Sequence, residues 1–402
     1  MNLIKKQRNG GGGGQTSNES VSYFEHLPKP LCQEIFVRIP ARDIMHCKLV
    51  CKPWYKILGQ PSFAILYAKR SPFSTIIVRA VIYSRKPQLG LNNLILPGIP
   101  WKSNEVWYLV EFSNNGDFVW TGFKPTLPAS LIENSTFDVS SSCNGLLCLT
   151  VHTPALDIVC ISNPVLGECF ALPQHEKDQP GDYVKSRYIL GFVPSMNRFK
   201  VVRIVCERGE DRITKCEILT IGVDNTWRGL ENVFISYPYW EKTMLCHYGV
   251  LHWIPRVDTS CGVYTFDLAE EKRGLILNPP GVGVNWRTMI LKLYGNQLCL
   301  VDNSDQTQIT IWTMKESWTK DVVLKSWFPS GMTGNSLEIA LVGKSRNGDM
   351  FFLTSDSTFY KVTDKTCSEI GVLLVESDTG SLELYEPSFL SLKEFMVKGT
   401  QE

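Results

Sequence analysis

The sequence lacks an excess of charge of either sign. Its 402 residues include 41 lysines and arginines against 40 aspartates and glutamates, which gives a net charge of +1. Non-specific nucleic-acid binding depends on a positive field that attracts phosphates. The charge balance therefore predicts that nucleic acid is not a partner of this protein.

Long hydrophobic runs are missing as well. No run approaches the roughly 18 apolar residues of a membrane-spanning helix, and even STIIVRAVIY is interrupted by Arg79. No apolar segment follows Lys5 and Lys6 as it would in a secretory signal, and the five glycines Gly10–Gly14 predict a disordered tail over residues 1–20. We expect no membrane contact and a location in the nucleus, the cytoplasm or both.

Histidine is scarce, with six residues, and the sequence contains no paired CxxC, no HExxH and no nucleophile elbow. The densest set of possible metal ligands is Cys246, His247 and His252. In one continuous strand Cys246 and His252 would share a face and His247 would point away, which prevents joint ligation unless a turn intervenes. The segment GVGVNW from Gly281 lacks the Gly-Lys-Ser/Thr of a phosphate loop. We predict no catalytic residue, no metal and no cofactor.

Cysteine, in contrast, is frequent. The 13 cysteines are an odd number and many lie inside apolar segments such as GLLCLT, DIVCIS and NQLCLV. Cysteine in such positions usually acts as a small buried hydrophobic residue. We therefore expect reduced, packed thiols in a reducing compartment.

The segment 24–68 has the apolar spacing of short helices. The first predicted helix, limited by Pro40, carries an apolar stripe at i, i+4 and i+8: Leu31, Ile35 and Ile39. The second, with Asp43 as its expected N-cap, carries a stripe at i, i+3 and i+7: Ile44, Cys47 and Cys51. Pro53 and Pro61 suit the first turns of a third and a fourth helix.

After Pro72 the sequence changes to short strands that recur at a regular spacing. A turn residue followed by an apolar strand occurs at five positions that are 47 to 53 residues apart: Asn144, Asn197, Tyr248, Gly295 and Asn347. Each is followed by a second strand and a segment typical of a third. A period near 50 residues is that of kelch-type propeller blades.

Closing such an array into a ring would remove its exposed strand edges. The segment EVWYLVEFSNNGDFVWTG predicts a hairpin upstream of the repeats, and SLELYEPSFLSL near the C-terminus predicts a strand that completes a blade begun near residue 75. The sequence therefore favours a six-bladed propeller, with a pair of β-sandwiches as the alternative.

The helical segment resembles the F-box, the short motif that joins substrate receptors to cullin–RING ubiquitin ligases. Leu27-Pro28 match its opening pair, and later parts of LPKPLCQEIFVRIPARDIMHCKLVCKPW match its apolar stripe and its final "VCk.W" portion. The downstream region resembles the F-box-associated domain of plant F-box proteins in SSCNGLLCL, SNPVLGECFALP, GVLHWI, VYTFDLAEEK and YEPSFLSL. The resemblance implies an α+β multidomain chain: an all-α F-box over residues 22–70, then an all-β kelch-like propeller over residues 73–395.

In the F-box family the helical motif docks on a Skp-type adaptor, which in turn holds a cullin scaffold. The resemblance gives nine candidate residues for adaptor contact: Leu27, Pro28, Leu31, Ile35, Ile39, Pro40, Ile44, Val50 and Trp54. A unit this small cannot bury all of its apolar side chains and presents some of them to a partner. Some of the nine must form the motif's own core, and the alternative is that all nine do.

The target-binding surface is harder to predict. Trp240, Trp286 and Trp327 lie in predicted turns, where they either pack between blades or anchor a bound protein. Our candidates for contact with a protein target are Arg256, Trp286 and Arg287.

The resemblance implies a non-catalytic substrate receptor of a ubiquitin ligase whose propeller binds an unidentified protein. Two alternatives stay open. One is a kelch-type enzyme, which would need a cluster of His, Tyr or carboxylate side chains at the propeller mouth. The other is a scaffold that binds the adaptor outside any ligase.

Overall fold

The computed structural model describes residues 27–70 and 74–396 apart from segments that connect strands, the longest being 84–102, 326–339 and 234–243. The predicted tail over residues 1–20 lies outside the described residues. In the described part of the chain, no helix is long and apolar enough to cross a membrane.

Four short helices come first: α1 Lys29–Phe36, α2 Ala41–Cys47, α3 Lys52–Leu58 and α4 Pro61–Arg70. Proline sets their boundaries. Pro40 is the N-cap of α2, Pro53 lies in the first turn of α3 and Pro61 opens α4, because proline fits a first turn but not a helix interior.

Three details of the helix prediction were wrong. Asp43 does not cap α2 but lies in its first turn, where the helix dipole stabilises a negative charge. Cys51 is the N-cap of α3 and not part of the α2 stripe. Ile39 lies beyond α1, which ends at Phe36, so the predicted three-residue stripe contains only two helical residues.

The helices pack around a small core of their own. It consists of Cys32, Phe36, Val37, Ala41, Ile44, Leu58, Phe63, Ala64 and Tyr67, joined by Phe389 from near the C-terminus. Two aromatic contacts organise it, since the Phe36 ring lies edge-on to Trp54 at 5.0 Å and to Phe63 at 6.3 Å. The hydroxyl of Tyr67 donates a hydrogen bond to the carbonyl of Ile39 at 2.9 Å and so connects α4 to the turn after α1.

After α4 the regular elements of the described chain are strands, apart from one 3-10 helical turn over Pro194–Met196 and a last short helix. The strands are β1 Ser74–Tyr83, β2 Ser103–Phe112, β3 Phe118–Phe123, β4 Thr136–Cys143, β5 Leu146–His152, β6 Asp157–Asn163, β7 Glu168–Ala171, β8 Val184–Val193, β9 Arg198–Glu207, β10 Ile213–Thr220, β11 Arg228–Gly229, β12 Met244–His247, β13 Val250–Trp253, β14 Gly262–Asp267, β15 Lys272–Leu277, β16 Met289–Tyr294, β17 Gln297–Asp302, β18 Gln308–Met314, β19 Trp318–Lys325, β20 Ala340–Lys344, β21 Met350–Leu353, β22 Thr358–Val362, β23 Cys367–Val372 and β24 Leu382–Tyr385. A last short helix, α5, spans Lys393–Met396.

Within the described residues these strands form six four-stranded sheets. Five are simple meanders of consecutive strands: β4–β7, β8–β11, β12–β15, β16–β19 and β20–β23. The sixth has the order β24-β1-β2-β3, with β24 antiparallel to β1 and Tyr385 opposite Thr75. The predicted pairing of the C-terminal strand with the segment near residue 75 is therefore confirmed, as is the hairpin of β2 and β3.

One strand of each sheet contacts the equivalent strand of the next sheet. The contacts run β4 to β8, β8 to β12, β12 to β16, β16 to β20, β20 to β24 and β24 back to β4. The series is thus closed on itself. Apolar cores lie between consecutive sheets; one of them joins Leu146 and Ile161 of the β4–β7 sheet to Leu190 and Val201 of the β8–β11 sheet.

The predicted repeat marks the turn between the first and second strands of a sheet. Asn144, Asn197 and Tyr248 each have a positive φ, of 47° to 49°, at the β4–β5, β8–β9 and β12–β13 turns. The first strand of each sheet therefore precedes the repeat start, and the sequence prediction of three strands per repeat was one strand short. Asn and Gly suit such turns because they tolerate left-handed backbone at little cost.

Tryptophan N–H groups connect neighbouring sheets. Trp227, just before β11, donates to the carbonyl of Pro173 at 2.7 Å, and Trp318 at the start of β19 donates to the carbonyl of Leu277 at 2.7 Å. In both cases the acceptor follows or ends the last strand of the preceding sheet. The same tryptophan-to-carbonyl hydrogen bond thus occurs in two sheets of the series. The repeat therefore includes a contact between sheets as well as a pattern of strands.

Candidate functional site

The helical module exposes an unusual share of large apolar side chains. Of the ten exposed large hydrophobic residues in the described chain, five belong to residues 27–70: Leu31, Ile35, Leu49, Val50 and Tyr55. Leu49 is 82% exposed, Val50 64% and Tyr55 63%. Exposed apolar side chains concentrated in a small unit mark a surface for a protein partner.

The structure divides the nine predicted adaptor-contact residues into three groups. Pro28, Leu31, Ile35 and Val50 are exposed, whereas Leu27, Ile39, Pro40 and Trp54 are partly buried. Ile44 is completely buried in the helical core. Ile44 therefore supports the module from inside, and contact of the other eight with an adaptor stays a prediction.

The two sides of α1 have opposite roles. Leu31 and Ile35 lie one turn apart on the exposed side, while Cys32 and Phe36 lie one turn apart on the buried side. Either pair fits the helical period, so the sequence alone could not assign them. Leu49 and Tyr55 were not predicted from the sequence, because no spacing rule distinguishes them from core residues.

Charged groups border the apolar surface. Arg70 of α4 forms an ion pair with Glu34 of α1, which connects the ends of the module. Lys48, in the turn after α2, is half-buried, and desolvation lowers its pKa despite the opposing charge of Glu168. Its ammonium group lies 5.8 Å from the centroid of the Phe389 ring, an attractive cation–π arrangement.

The three candidate target-binding residues, Arg256, Trp286 and Arg287, lie outside the described residues. Trp240 and Trp327, the other tryptophans predicted in turns, also lie outside them. Their contact with a protein target stays a prediction.

The geometry around Cys246 differs from the expectation for one continuous strand. A turn at Tyr248 and Gly249 reverses the chain, and His252 pairs with Leu245 in the β12–β13 hairpin. His247 and His252 consequently share a face, with ring centroids 6.4 Å apart, and Cys246 points to the other face. Burial, followed by the His247 charge, lowers the pKa of His252 to about 4. Among the described residues no group of three or more His, Cys, Asp or Glu side chains is arranged to hold a metal.

The side chains of ten cysteines are described, and all ten are free thiols. Burial raises the pKa of Cys143 and of Cys299 to about 12. Thiols with such pKa values form little thiolate at neutral pH and react slowly. These two side chains are therefore packing groups, as the sequence predicted for cysteines in apolar strands.

His152 connects three neighbouring strands through its ring. Its Nδ1 lies 2.8 Å from a carboxylate oxygen of Asp157, at the start of β6, and its Nε2 lies 3.1 Å from one of Asp138 in β4. Hydrogen bonds to Asp138 and then Asp157 raise the pKa of His152 to about 10, although burial opposes the shift. The ring is therefore an imidazolium at neutral pH that holds two carboxylates together.

We expect His152 to stay protonated at pH 8, which NMR titration of its ring would measure. Because its folded pKa exceeds the ordinary value of 6.5, its contribution to stability is complete below about pH 6.5 and is lost as the pH rises through about 10. The difference in unfolding free energy between wild type and His152→Gln should thus be larger at pH 6 than at pH 10. An imidazole that titrates near pH 6.5 would contradict this, and Asp157→Asn should lower the pKa.

Two known protein families match the chain. Residues 24–63 match the family described as F-box-like, and residues 102–370 match the family described as F-box associated beta propeller domain. The first match covers most of the four helices that expose the apolar side chains. The second covers most of the six sheets.

Curated relatives are similar over nearly the whole chain. The F-box protein At5g65850 of Arabidopsis thaliana is 23% identical over 397 residues, which cover 92% of this chain and 90% of the relative. The F-box protein At3g07870 of the same plant is 25% identical over 408 residues, which cover 94% and 88%. The similarity thus includes both the helices and the sheets.

Solved structures are similar only at a low level. The SapL1 lectin in complex with alpha methyl fucoside has a TM-score of 0.37 and 9% identity, over 68% of this chain and 94% of the lectin. YCF48 bound to D1 peptide has a TM-score of 0.34 and 12% identity, over 70% and 86%. Scores at this level carry no argument about this chain.

Proposed function

This chain belongs to the plant F-box proteins with a C-terminal F-box-associated domain, and from that premise we propose that it is the substrate-recognition subunit of an SCF-type cullin–RING ubiquitin ligase. The four helices dock on a Skp-type adaptor, through which the chain reaches the cullin scaffold. The β domain binds the protein that is to be ubiquitinated. The observation that best supports adaptor docking is the set of exposed apolar side chains in the helical module, which already has an apolar core of its own.

The physical reason is the cost of apolar surface in water. Each Å² of apolar surface removed from water contributes about 25 cal/mol, and fully burying a leucine-sized side chain contributes about 1.5–3 kcal/mol. Leu31, Ile35 and Val50 gain this energy only if a partner covers them, because the inner face of α1 is already packed and Val50 lies exposed in the turn between α2 and α3. A helix or groove of an adaptor supplies such a cover.

We propose further that the six sheets are the blades of a six-bladed propeller. Three features support this arrangement: six sheets of four antiparallel strands, the closed series of contacts between their equivalent strands, and the sheet completed by the C-terminal strand β24. A propeller presents its connecting segments at two ends, where they vary without disturbing the blades. Arg256, Trp286 and Arg287 are our proposed target contacts among these segments.

In this mechanism the chain supplies proximity and no catalytic group. Holding a target beside the ubiquitin-charged conjugating enzyme raises the effective concentration of the target's lysines. A scaffold outside any ligase is the second outcome to distinguish. Reconstitution with both adaptor and cullin separates the two, since a ligase subunit enters a complex containing both and a scaffold enters one with the adaptor alone.

The adaptor contact has a direct test with a matched control. We expect Leu31→Asp and Val50→Asp each to weaken binding to a purified Skp-type adaptor at least about tenfold, because each loses apolar burial and places a charge in the interface. Isothermal titration calorimetry on the full chain would measure this. The control is Leu277→Asp, the same change at a 68% exposed leucine on the distant strand β15, and it should bind as wild type does. Absence of binding by the wild type, or equal weakening by the control, would refute the docking surface.

A further inference from the structure

We infer that the C-terminal segment 385–396, here called the clasp, is part of the adaptor-docking module although it lies at the opposite end of the chain. The clasp places Phe389 in the core of the F-box helices and is itself held by two turns of the β domain. Adaptor binding consequently depends on residues outside the F-box. This inference rests on the proposed function for its docking part and on contacts within the chain for its structural part.

Phe389 completes the helical core. Its side chain is buried, its ring centroid lies 5.0 Å from that of Tyr67 in an edge-on contact, and it lies 5.7 Å from the ring of Phe63. Phe63 in turn contacts Phe36 of α1. Aromatic contacts thus run from the clasp to α1, whose opposite side exposes Leu31 and Ile35, so removal of the Phe389 ring would loosen the helix that carries the docking residues.

Asn163, at the end of β6, fixes the backbone of the clasp. Its side chain is completely buried and its amide nitrogen donates to the carbonyls of Ser388 at 3.1 Å and Leu390 at 2.9 Å, on both sides of Phe389. Its amide oxygen accepts a hydrogen bond from the backbone N–H of Val165 at 3.0 Å. A buried side-chain amide whose nitrogen and oxygen both form hydrogen bonds fixes the backbone segment that it contacts in one position.

Three further hydrogen bonds secure the clasp on either side of Phe389. The hydroxyl of Tyr385 donates to the carbonyl of Gly145 at 3.0 Å. The carboxylate of Glu168 accepts from the Ser391 hydroxyl at 2.8 Å and from the backbone N–H of Leu392 at 2.6 Å. The sequence segments SSCNGLLCL, SNPVLGECFALP and YEPSFLSL therefore meet at one place, where they hold Phe389 in position.

A second contact between the helices and the β domain does not involve the clasp. The carboxylate of Glu111 in β2 accepts a hydrogen bond at 3.1 Å from the backbone N–H of Ala41, the first residue of α2. The first N–H groups of a helix have no partner within the helix, so this acidic side chain caps α2 from outside the module. Burial raises the pKa of Glu111, and the bond from Ala41 opposes the shift.

The test compares Phe389→Ala with Phe266→Ala in the full chain. Phe266 is a phenylalanine of β14, buried in the core between the β8–β11 and β12–β15 sheets, outside the clasp and the helices. For Phe389→Ala we expect amide hydrogen exchange in α1 and α4 to accelerate at least about tenfold and adaptor affinity to fall at least about tenfold. For Phe266→Ala we expect faster exchange in β12–β15, with the exchange of the helices and the adaptor affinity unchanged.

Phe389→Leu is a milder variant for the case in which Phe389→Ala unfolds throughout, because leucine keeps most of the apolar volume. We expect its helix exchange rates and its adaptor affinity to lie between those of wild type and Phe389→Ala. Unchanged exchange in the helices of Phe389→Ala would overturn the structural part of the inference. Faster exchange with wild-type adaptor affinity would overturn its docking part. If Phe389→Ala unfolds throughout, wild-type exchange of the helices and wild-type affinity in Phe389→Leu would overturn the inference. A wild type that binds no adaptor would refute the proposed function alone, because the exchange measurement needs no adaptor.

Discussion

Gly145→Ala is expected to destabilise the protein by about 2–5 kcal/mol. Gly145 has a φ of +77° at the β4–β5 turn, a conformation that costs a residue with a side chain about 1–2 kcal/mol. A methyl group there would also overlap the Ser388 side chain and the Glu386 carbonyl, and it would lie 2.6 Å from the Ser388 nitrogen. These are clasp atoms, so the methyl group must displace the clasp. Chemical denaturation gives the free energy, and hydrogen exchange of residues 385–396 gives the displacement.

Two other glycines separate strain from overlap in this experiment. Gly281 has a φ of +74°, and no atom of the described residues lies within 4 Å of an added Cβ, so Gly281→Ala measures the backbone strain. Gly229 has no positive φ, and in the described part of the chain no atom lies within 4 Å of an added Cβ, so Gly229→Ala should have little effect on stability. The prediction fails if Gly145→Ala costs no more than Gly281→Ala.

Glu217→Leu is expected to lower the free energy of unfolding by about 3–5 kcal/mol, since it leaves a buried guanidinium without its carboxylate. Arg203 is completely buried, and its Nη1 donates to Glu217 at 2.6 Å. Burial opposes ionisation of Glu217, but hydrogen bonds from Lys215 and Arg203 outweigh it and lower the pKa of the carboxylate. Denaturant unfolding of both proteins at neutral pH would measure the difference.

The sign of the pH dependence gives a second measurement on the same pair. Because the folded pKa of Glu217 lies below the ordinary value of 4.5, the stability from its charge is present above that pH and is lost as the pH falls through the folded pKa. The difference between wild type and Glu217→Leu should therefore shrink in acid.

The double variant Arg203→Met/Glu217→Leu tests whether the loss comes from the orphaned charge. We expect it to recover most of the stability, because well-packed apolar side chains often replace a buried ion pair without cost. Glu270→Leu, which removes the exposed pair with Lys272, should cost at most about 1 kcal/mol. Equal decreases in the free energy of unfolding for Glu217→Leu and Glu270→Leu would contradict the prediction that burial of the Arg203–Glu217 pair raises the cost of breaking it.

Local signals in the sequence were sufficient to predict the helices and much of the strand pattern. Pro53 and Pro61 mark the starts of α3 and α4 because the geometry of proline acts within one turn. Asn144 and Asn197 mark turns because few residues tolerate a positive φ. The pairing of β24 with β1 could be predicted because an incomplete final repeat and an unpaired strand near residue 75 each needed a partner.

The assignment of faces and long-range contacts could not be predicted. Leu31 and Cys32 lie in the same helical turn, and only the packed structure shows which is buried. The position of Phe389 among the helices and that of Glu111 at the start of α2 depend on how distant parts of the chain pack, which leaves no periodic pattern in one sequence. The first strand of each of the five meanders was missed because these strands precede the turn residues that mark the repeat, and short ones such as β12 carry a weak pattern.

The pairing of β24 with β1 also has a consequence for folding during protein synthesis, because the two strands lie near opposite ends of the chain. The ribosome releases β1 early, but its neighbour Leu382–Tyr385 emerges only after all the other strands have been translated. One edge of the nascent β1 therefore stays without its partner strand through most of translation. An unpaired edge can pair with strands of other chains during this time and so lead to aggregation. Arg79 interrupts the apolar run of this strand, and a charge at such a position is the kind of residue that keeps an unpaired strand from aggregating.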